Sequence, residues 1–218
     1  MTPGQVARKL LGRHAKPVGE VYRRIFVDLQ RVIDSFADDL PHGAHILDIG
    51  GGDGMGTNLL LDRRPDLRVT MIDIAPTIGG FLESRHRDKV TIRPSTSIAD
   101  FARLGDRCGG IIVTDVVHHV PVEMRPQFFK DLADCATVTG CETLVVKDIA
   151  PGQLRSGLSL LSDWYVTGDR HVRLMAADDV DRALRTHFAP EHVVSMRHLV
   201  PDAPNYCLVY TLARSGTA

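Results

Sequence analysis

The run Asp48-Ile49-Gly50-Gly51-Gly52-Asp53-Gly54 sets closely spaced glycines beside a carboxylate at the end of an apolar stretch. That combination suits a small ligand lying on bare backbone, because glycine reaches φ above zero and carries no Cβ to hold the ligand away. A second carboxylate, Asp73, closes the next apolar stretch, where its two oxygens can accept a pair of ribose hydroxyls. The plainer role for Asp73 is a turn former ahead of Pro76. A dinucleotide fingerprint would need a third glycine at position 55 or 57, and those positions hold Met55 and Thr57. A nicotinamide oxidoreductase is thereby disfavoured. Beyond residues 110–117 come His118 and His119, Asp148 ends a later apolar run, and His171 lies farther on. Histidine titrates near neutrality, so it is the natural general base for a hydroxyl acceptor.

These groups need elements to bring them to one edge. Apolar residues at Val21, Ile25, Leu29, Val32, Ile33 and Phe36 predict an amphipathic helix over residues 18–38, which Pro41-His42-Gly43 interrupts. Strands are predicted at 45–49, 68–73, 90–93, 110–117 and 143–148, with helical character resuming at 57–61 and again over 122–137. The 110–117 run, GIIVTDVV, is apolar enough for a strand covered on both faces. Such alternation predicts an α/β layered sheet with right-handed crossovers. Residues 192–200 and 206–213 are separated by five residues, too few for a crossover helix, and are expected to form an antiparallel hairpin.

The bulk composition narrows the function classes. At 218 residues the chain is expected to form one domain with a substantial core. With 26 Lys and Arg against 27 Asp and Glu, no long-range field favours nucleic acid or an anionic membrane. No stretch has the length and apolarity of a signal or membrane-spanning segment, so a cytoplasmic protein is expected. The four cysteines form no Cys-x-x-Cys pair and are expected to be buried free thiols. Abundant Arg, Asp, Ala, Gly and Val with few Lys suggest a bacterial source.

The D-x-G-x-G-x-G pattern at 48–54, Asp73, and Asp115-Val116-Val117-His118-His119-Val120 together resemble the class I S-adenosylmethionine-dependent methyltransferases, in particular small-molecule members of the type 11/12 kind, over residues 44–150. The resemblance implies a Rossmann-like seven-stranded, mostly parallel sheet with an antiparallel C-terminal strand, helices on both faces and an N-terminal helical cap. One methyltransferase domain would divide into a cap (1–42), a cofactor-binding core (44–150), a substrate-covering insertion (151–177) and a C-terminal helix and β-hairpin (178–218). It also implies S-adenosyl-L-methionine as cofactor, with Asp48, Gly50, Gly51, Gly52 and Gly54 at the methionine end, Asp73 on the ribose, Ile74 on the adenine, and Asp115 and Val116 completing the site. Many members carry an Asp after the third strand, whereas this chain reads Pro94-Ser95-Thr96-Ser97-Ile98; Thr96 or Ser97 is expected to supply that adenine contact.

On the acceptor side, His171 is the favoured base, with His118 and Asp148 as further catalytic candidates and His119, Trp164, Tyr165 and Tyr22 as substrate contacts. Asp115, His118, His119 and Asp148 have the types to bind a cation, but catechol-type enzymes use an Asp-Asn pair and Asp148 is followed by Ile149, so no metal is expected. The expected reaction is methylation of a hydroxyl on a small molecule such as a sugar or natural product. The alternatives are N- or C-methylation and a non-catalytic cofactor-binding regulator. The expected partner is the small-molecule acceptor, with no nucleic acid and no membrane, and Trp164-Tyr165 leaves a homodimer contact open.

Overall fold

The computed structural model describes residues 29–152 and 172–213. Its centre is a seven-stranded sheet in the order β3-β2-β1-β4-β5-β7-β6. The strands are β1 His45–Ile49, β2 Arg68–Ile72, β3 Val90–Arg93, β4 Gly110–Thr114, β5 Thr143–Ile149, β6 Val193–Asp202 and β7 Asn205–Leu212. The first five run parallel; β7 inserts antiparallel between β5 and the edge strand β6. The expected C-terminal hairpin is present, and its return strand is what reverses the sheet's direction beside β5.

Helices cover both faces, as the continuous apolar runs of β1, β4 and β5 require. On one face α1 (Leu29–Phe36) and α2 (Met55–Arg63) pack Val32, Ile33, Phe36, Leu60 and Leu61 against Ile46, Val69, Met71, Ile112, Val145 and Val209. On the other, α3 (Ile98–Leu104), α4 (Arg125–Thr139) and α5 (Ala177–Arg185) bury Phe101, Phe129, Leu132, Val180 and Leu184 against Leu47, Ile111, Leu144, Val146, Leu208 and Tyr210. All seven residues of β5 are buried. Alternate residues of a strand project to opposite faces, so one strand feeds both cores.

Several boundaries differ from the sequence expectation for local reasons. The strand expected over 110–117 stops at Thr114, because Asp115 adopts φ 57 and residues 117–119 form a short 3-10 turn. Strand β2 ends at Ile72, one residue before Asp73. The helix expected from 122 begins as a 3-10 turn and becomes α-helical at Arg125, followed by Pro126 in the first turn where a missing N–H costs nothing. Of the helix expected over 18–38, the described part is α1 and the 3-10 turn after it.

Candidate active site

The glycine turn is built where β1 ends and α2 begins. The N–H groups of Gly50 and Gly51 donate to Ile72 O at 2.9 and 3.3 Å, tying the turn to the end of β2. Gly50 has φ 73, and a Cβ there would lie 2.3 Å from Val116 Cγ2, so the turn after β4 presses directly on this glycine. A Cβ at Gly51 would lie 2.9 Å from Met71 Cε and 3.2 Å from Asp48 Oδ2. Beneath the turn, Asp48 is 6% exposed and accepts a hydrogen bond from Thr57 Oγ1 at 2.7 Å. Burial pushes its carboxyl up to about 6, Thr57 opposing and the charge of Asp73 adding to the rise. The segment after β2 folds back on the turn: Gly79 N donates to Gly52 O and Phe81 N to Asp53 O, both at 2.8 Å. Asn58 of α2 holds that segment, donating to Phe81 O at 2.9 Å and accepting from Glu83 N at 3.0 Å.

Asp73 stands at the end of β2, partly exposed, and its Oδ1 accepts from Ala75 N at 2.9 Å, the turn-forming bond of the plainer reading. Ile74 beside it is 82% exposed. After β3, Thr96 Oγ1 donates to Pro94 O at 3.0 Å. Ser97 is the N-cap of α3: its Oγ accepts from Asp100 N at 3.1 Å and donates to Asp100 Oδ2 at 2.6 Å. The expected adenine contact from the Ser97 hydroxyl therefore competes with a complete capping box, and Asp100 three residues on was the sequence signal for it.

The turn after β4 is clamped from both faces by two consecutive residues of β5. Lys147, fully buried, donates through Nζ to both oxygens of Asp115, at 2.6 and 2.8 Å. Asp148, 2% exposed, accepts from His118 Nδ1 at 2.5 Å, from the His118 backbone N–H at 3.0 Å and from Ile149 N at 2.7 Å. The charge of His118 and these hydrogen bonds hold the Asp148 carboxyl below its ordinary range against the opposing effect of burial. His119 packs on His118 with ring centroids 4.1 Å apart. Arg125 Nε donates to Val120 O at 3.1 Å and its Nη2 to Arg173 O, joining this turn to the segment that leads into α5. Tyr206, opposite Asp148 in the β5–β7 register, buries a hydroxyl that has no hydrogen-bond partner among the described residues.

Asp115, His118 and Asp148 offer ligand atoms within 4.8 Å of one another. A cation there would compete with the Lys147 ammonium for Asp115 and with the imidazole for Asp148. His171, Trp164, Tyr165 and Tyr22 lie outside the described residues. Neither Lys147 nor Thr57 is marked as a site residue by the sequence; Lys147 follows the apolar run Leu144-Val145-Val146 directly before Asp148, and nothing local marks its partner.

The residues present fit an adenosyl amino acid: a turn without side chains from Gly50 to Gly52, packed inward on Val116 and Met71 at Gly50 and Gly51 and open at Gly52, where a Cβ would meet only Gly50 O at 3.6 Å, a buried carboxylate under it, and Asp73 with exposed Ile74 at the neighbouring strand end. No family model matches the chain. A 43-residue stretch, 20% of this chain, is 51% identical to part of the malonyl-(acyl-carrier protein) O-methyltransferase of Acetivibrio thermocellus, covering 15% of that protein. Similar solved structures include an O-methyltransferase family protein from Burkholderia thailandensis, with TM-score 0.64 and 14% identity over 96% of this chain and 64% of that one. Human N-acetylserotonin methyltransferase in complex with S-adenosylmethionine is also similar, with TM-score 0.61 and 12% identity over 86% of this chain and 52% of that one. The chain therefore has the fold of the S-adenosylmethionine-dependent methyltransferases, and it spans part of the length of each of these proteins. Among the described residues no helix is long and apolar enough to cross a membrane.

Proposed function

We propose that the chain is an S-adenosylmethionine-dependent methyltransferase that acts on the hydroxyl of a small molecule. The observation that carries this reading is Asp48, a carboxylate buried under a side-chain-free turn and held near neutrality, where a cationic amino acid ligand would relieve the cost of its burial. The backbone of the glycine turn, open at Gly52, would seat the amino acid end, Asp73 the ribose, and Ile74 the adenine. The cofactor supplies a methyl group on a sulfonium; transfer breaks its S–C bond, forms an O–C bond, leaves S-adenosylhomocysteine and releases the hydroxyl proton. That proton needs a base. Within the described residues His118 is the candidate, oriented by Asp148 as a general base is by its carboxylate. To act so, His118 would have to be in its neutral form, which with Nδ1–H donated to Asp148 carries the lone pair on Nε2. His171 remains the other candidate.

A second reading of the His118–Asp148 pair is a clamp for the turn, favoured by Asp148 also accepting the His118 backbone N–H. A hydroxyl acceptor is supported by the O-methyltransferase names among the similar proteins and a small one by the N-acetylserotonin named for one of them, and the reading includes a cytoplasmic site of action with no nucleic-acid partner, supported by the near balance of charge. Calorimetry with S-adenosylhomocysteine tests the assignment: saturable 1:1 binding is expected, and no heat at neutral pH from folded protein removes it. Turnover of His118→Ala and His171→Ala on a hydroxyl acceptor then separates the two bases, the true base losing about 10² to 10⁴ in rate.

A further inference from the structure

Lys147 carries a charge that the reading above does not use. Its side chain is 0% exposed, and both oxygens of Asp115 lie within hydrogen-bond distance of its ammonium. Asp115 itself is 37% exposed and holds φ 57, a left-handed conformation that is unfavourable for a residue other than glycine. Burying an ammonium is costly unless it is paired, and an apolar residue of similar volume would fill this place without that cost. The pair also occupies a particular location. Asp115 immediately precedes Val116, the residue seated against Gly50, so its carboxylate stands on the edge that carries the glycine turn and Asp48.

We propose that Lys147 is a charge-masking residue of the donor site: it neutralises Asp115, so that the site does not favour the cationic sulfonium donor over the neutral thioether product more than Asp48 and Asp73 already do. The proposal rests on the methyltransferase reading. An unmasked Asp115 would add attraction to a positive charge that leaves sulfur during transfer, and binding of that kind stabilises the ground state more than the transition state. Lys147 removes this attraction while keeping a carboxylate to hold the turn through its hydrogen bonds. A residue with only a structural role would change the affinities for donor and product together; a masking residue changes their ratio.

The test needs no acceptor. Dissociation constants for S-adenosylmethionine and S-adenosylhomocysteine are measured by calorimetry on the wild-type chain, Lys147→Met, Lys147→Arg, Asp115→Asn and the Lys147→Met/Asp115→Asn double variant, each first shown to be folded by its thermal transition. Lys147→Met is expected to shift preference toward S-adenosylmethionine on the order of tenfold, the size of effect one unpaired unit charge exerts on another across a partly screened site. Asp115→Asn, which leaves the ammonium without its counter-charge, is expected to shift preference the opposite way, so either single variant suffices if the other does not fold. Lys147→Arg and the double variant should keep the wild-type ratio. Wild-type binding with a ratio unchanged in the folded single variants, or with both affinities lost in equal measure, overturns the masking role alone. A folded wild-type chain that binds neither compound overturns the methyltransferase reading, and the masking role with it.

Discussion

Replacing Asp48 by Asn should make the ligand-free protein more stable at neutral pH while weakening the binding that the carboxylate serves. Asp48 titrates at about 6 in the folded chain against an ordinary 3.8, chiefly because burial penalises its charge. A carboxyl with a raised folded pKa takes up its proton more readily in the folded state than in the unfolded one. Its contribution therefore favours folding at low pH and is lost as pH climbs from the unfolded value to the folded one. From 3.8 to about 6, at about 1.4 kcal/mol for each tenfold change in acidity, the loss comes to about 3 kcal/mol. At 6% exposure, solvent screens little of it. Asn keeps an oxygen that can accept the Thr57 hydroxyl at the 2.7 Å position and matches the carboxylate in shape. Urea unfolding of both proteins from pH 4 to pH 8 reads the effect. The two should be nearly equal at pH 4, diverge through pH 4 to 6, and differ by about 3 kcal/mol in favour of Asn above pH 7, while S-adenosylhomocysteine affinity falls at least about tenfold. Parallel pH profiles, or a folded Asn variant less stable at pH 8, would refute the reasoning about buried charge.

Further outcomes follow from the same geometry. Gly50→Ala combines φ 73 with a Cβ placed 2.3 Å from Val116 Cγ2, and should cost about 2–4 kcal/mol in thermal or urea unfolding; adding Val116→Ala should recover the clash but not the backbone strain. Asp148→Ala leaves the buried His118 imidazole and two backbone N–H groups without their acceptor and should destabilise by about 3 kcal/mol or more by urea unfolding. Thr57→Val removes the hydrogen bond that opposes the rise at Asp48, so its midpoint, followed by carboxyl NMR, should move above about 6. Cys108, Cys135 and Cys207 are pushed up to about 12 by burial and Cys141 is also raised, so none of the four should react with a thiol reagent within minutes until the chain is unfolded.

The glycine turn and the carboxylates at the ends of β1 and β2 were legible in the chain itself, because their requirements are local. Consecutive glycines mark positive φ and absent side chains, and an acidic residue that closes an apolar run is a strand end wherever that strand is placed. The alternation of apolar runs likewise specified the layered sheet, and the five-residue break before position 206 specified its reversed strand. Ser97 is expected from the sequence to contact adenine, although Asp100 three residues later is the local signal of the helix cap that it forms. Only the tertiary structure decided how the turn after β4 is held. Lys147 and Asp148 are neighbours in sequence, yet strand alternation sends one to each face, where they meet Asp115 and His118 across 32 and 30 residues. Composition and periodicity place each of those residues at an edge but carry no information about which charge it will face. That pairing depends on the β4–β5 register, with Thr114 beside Lys147, and on the left-handed backbone at Asp115 that ends the strand early.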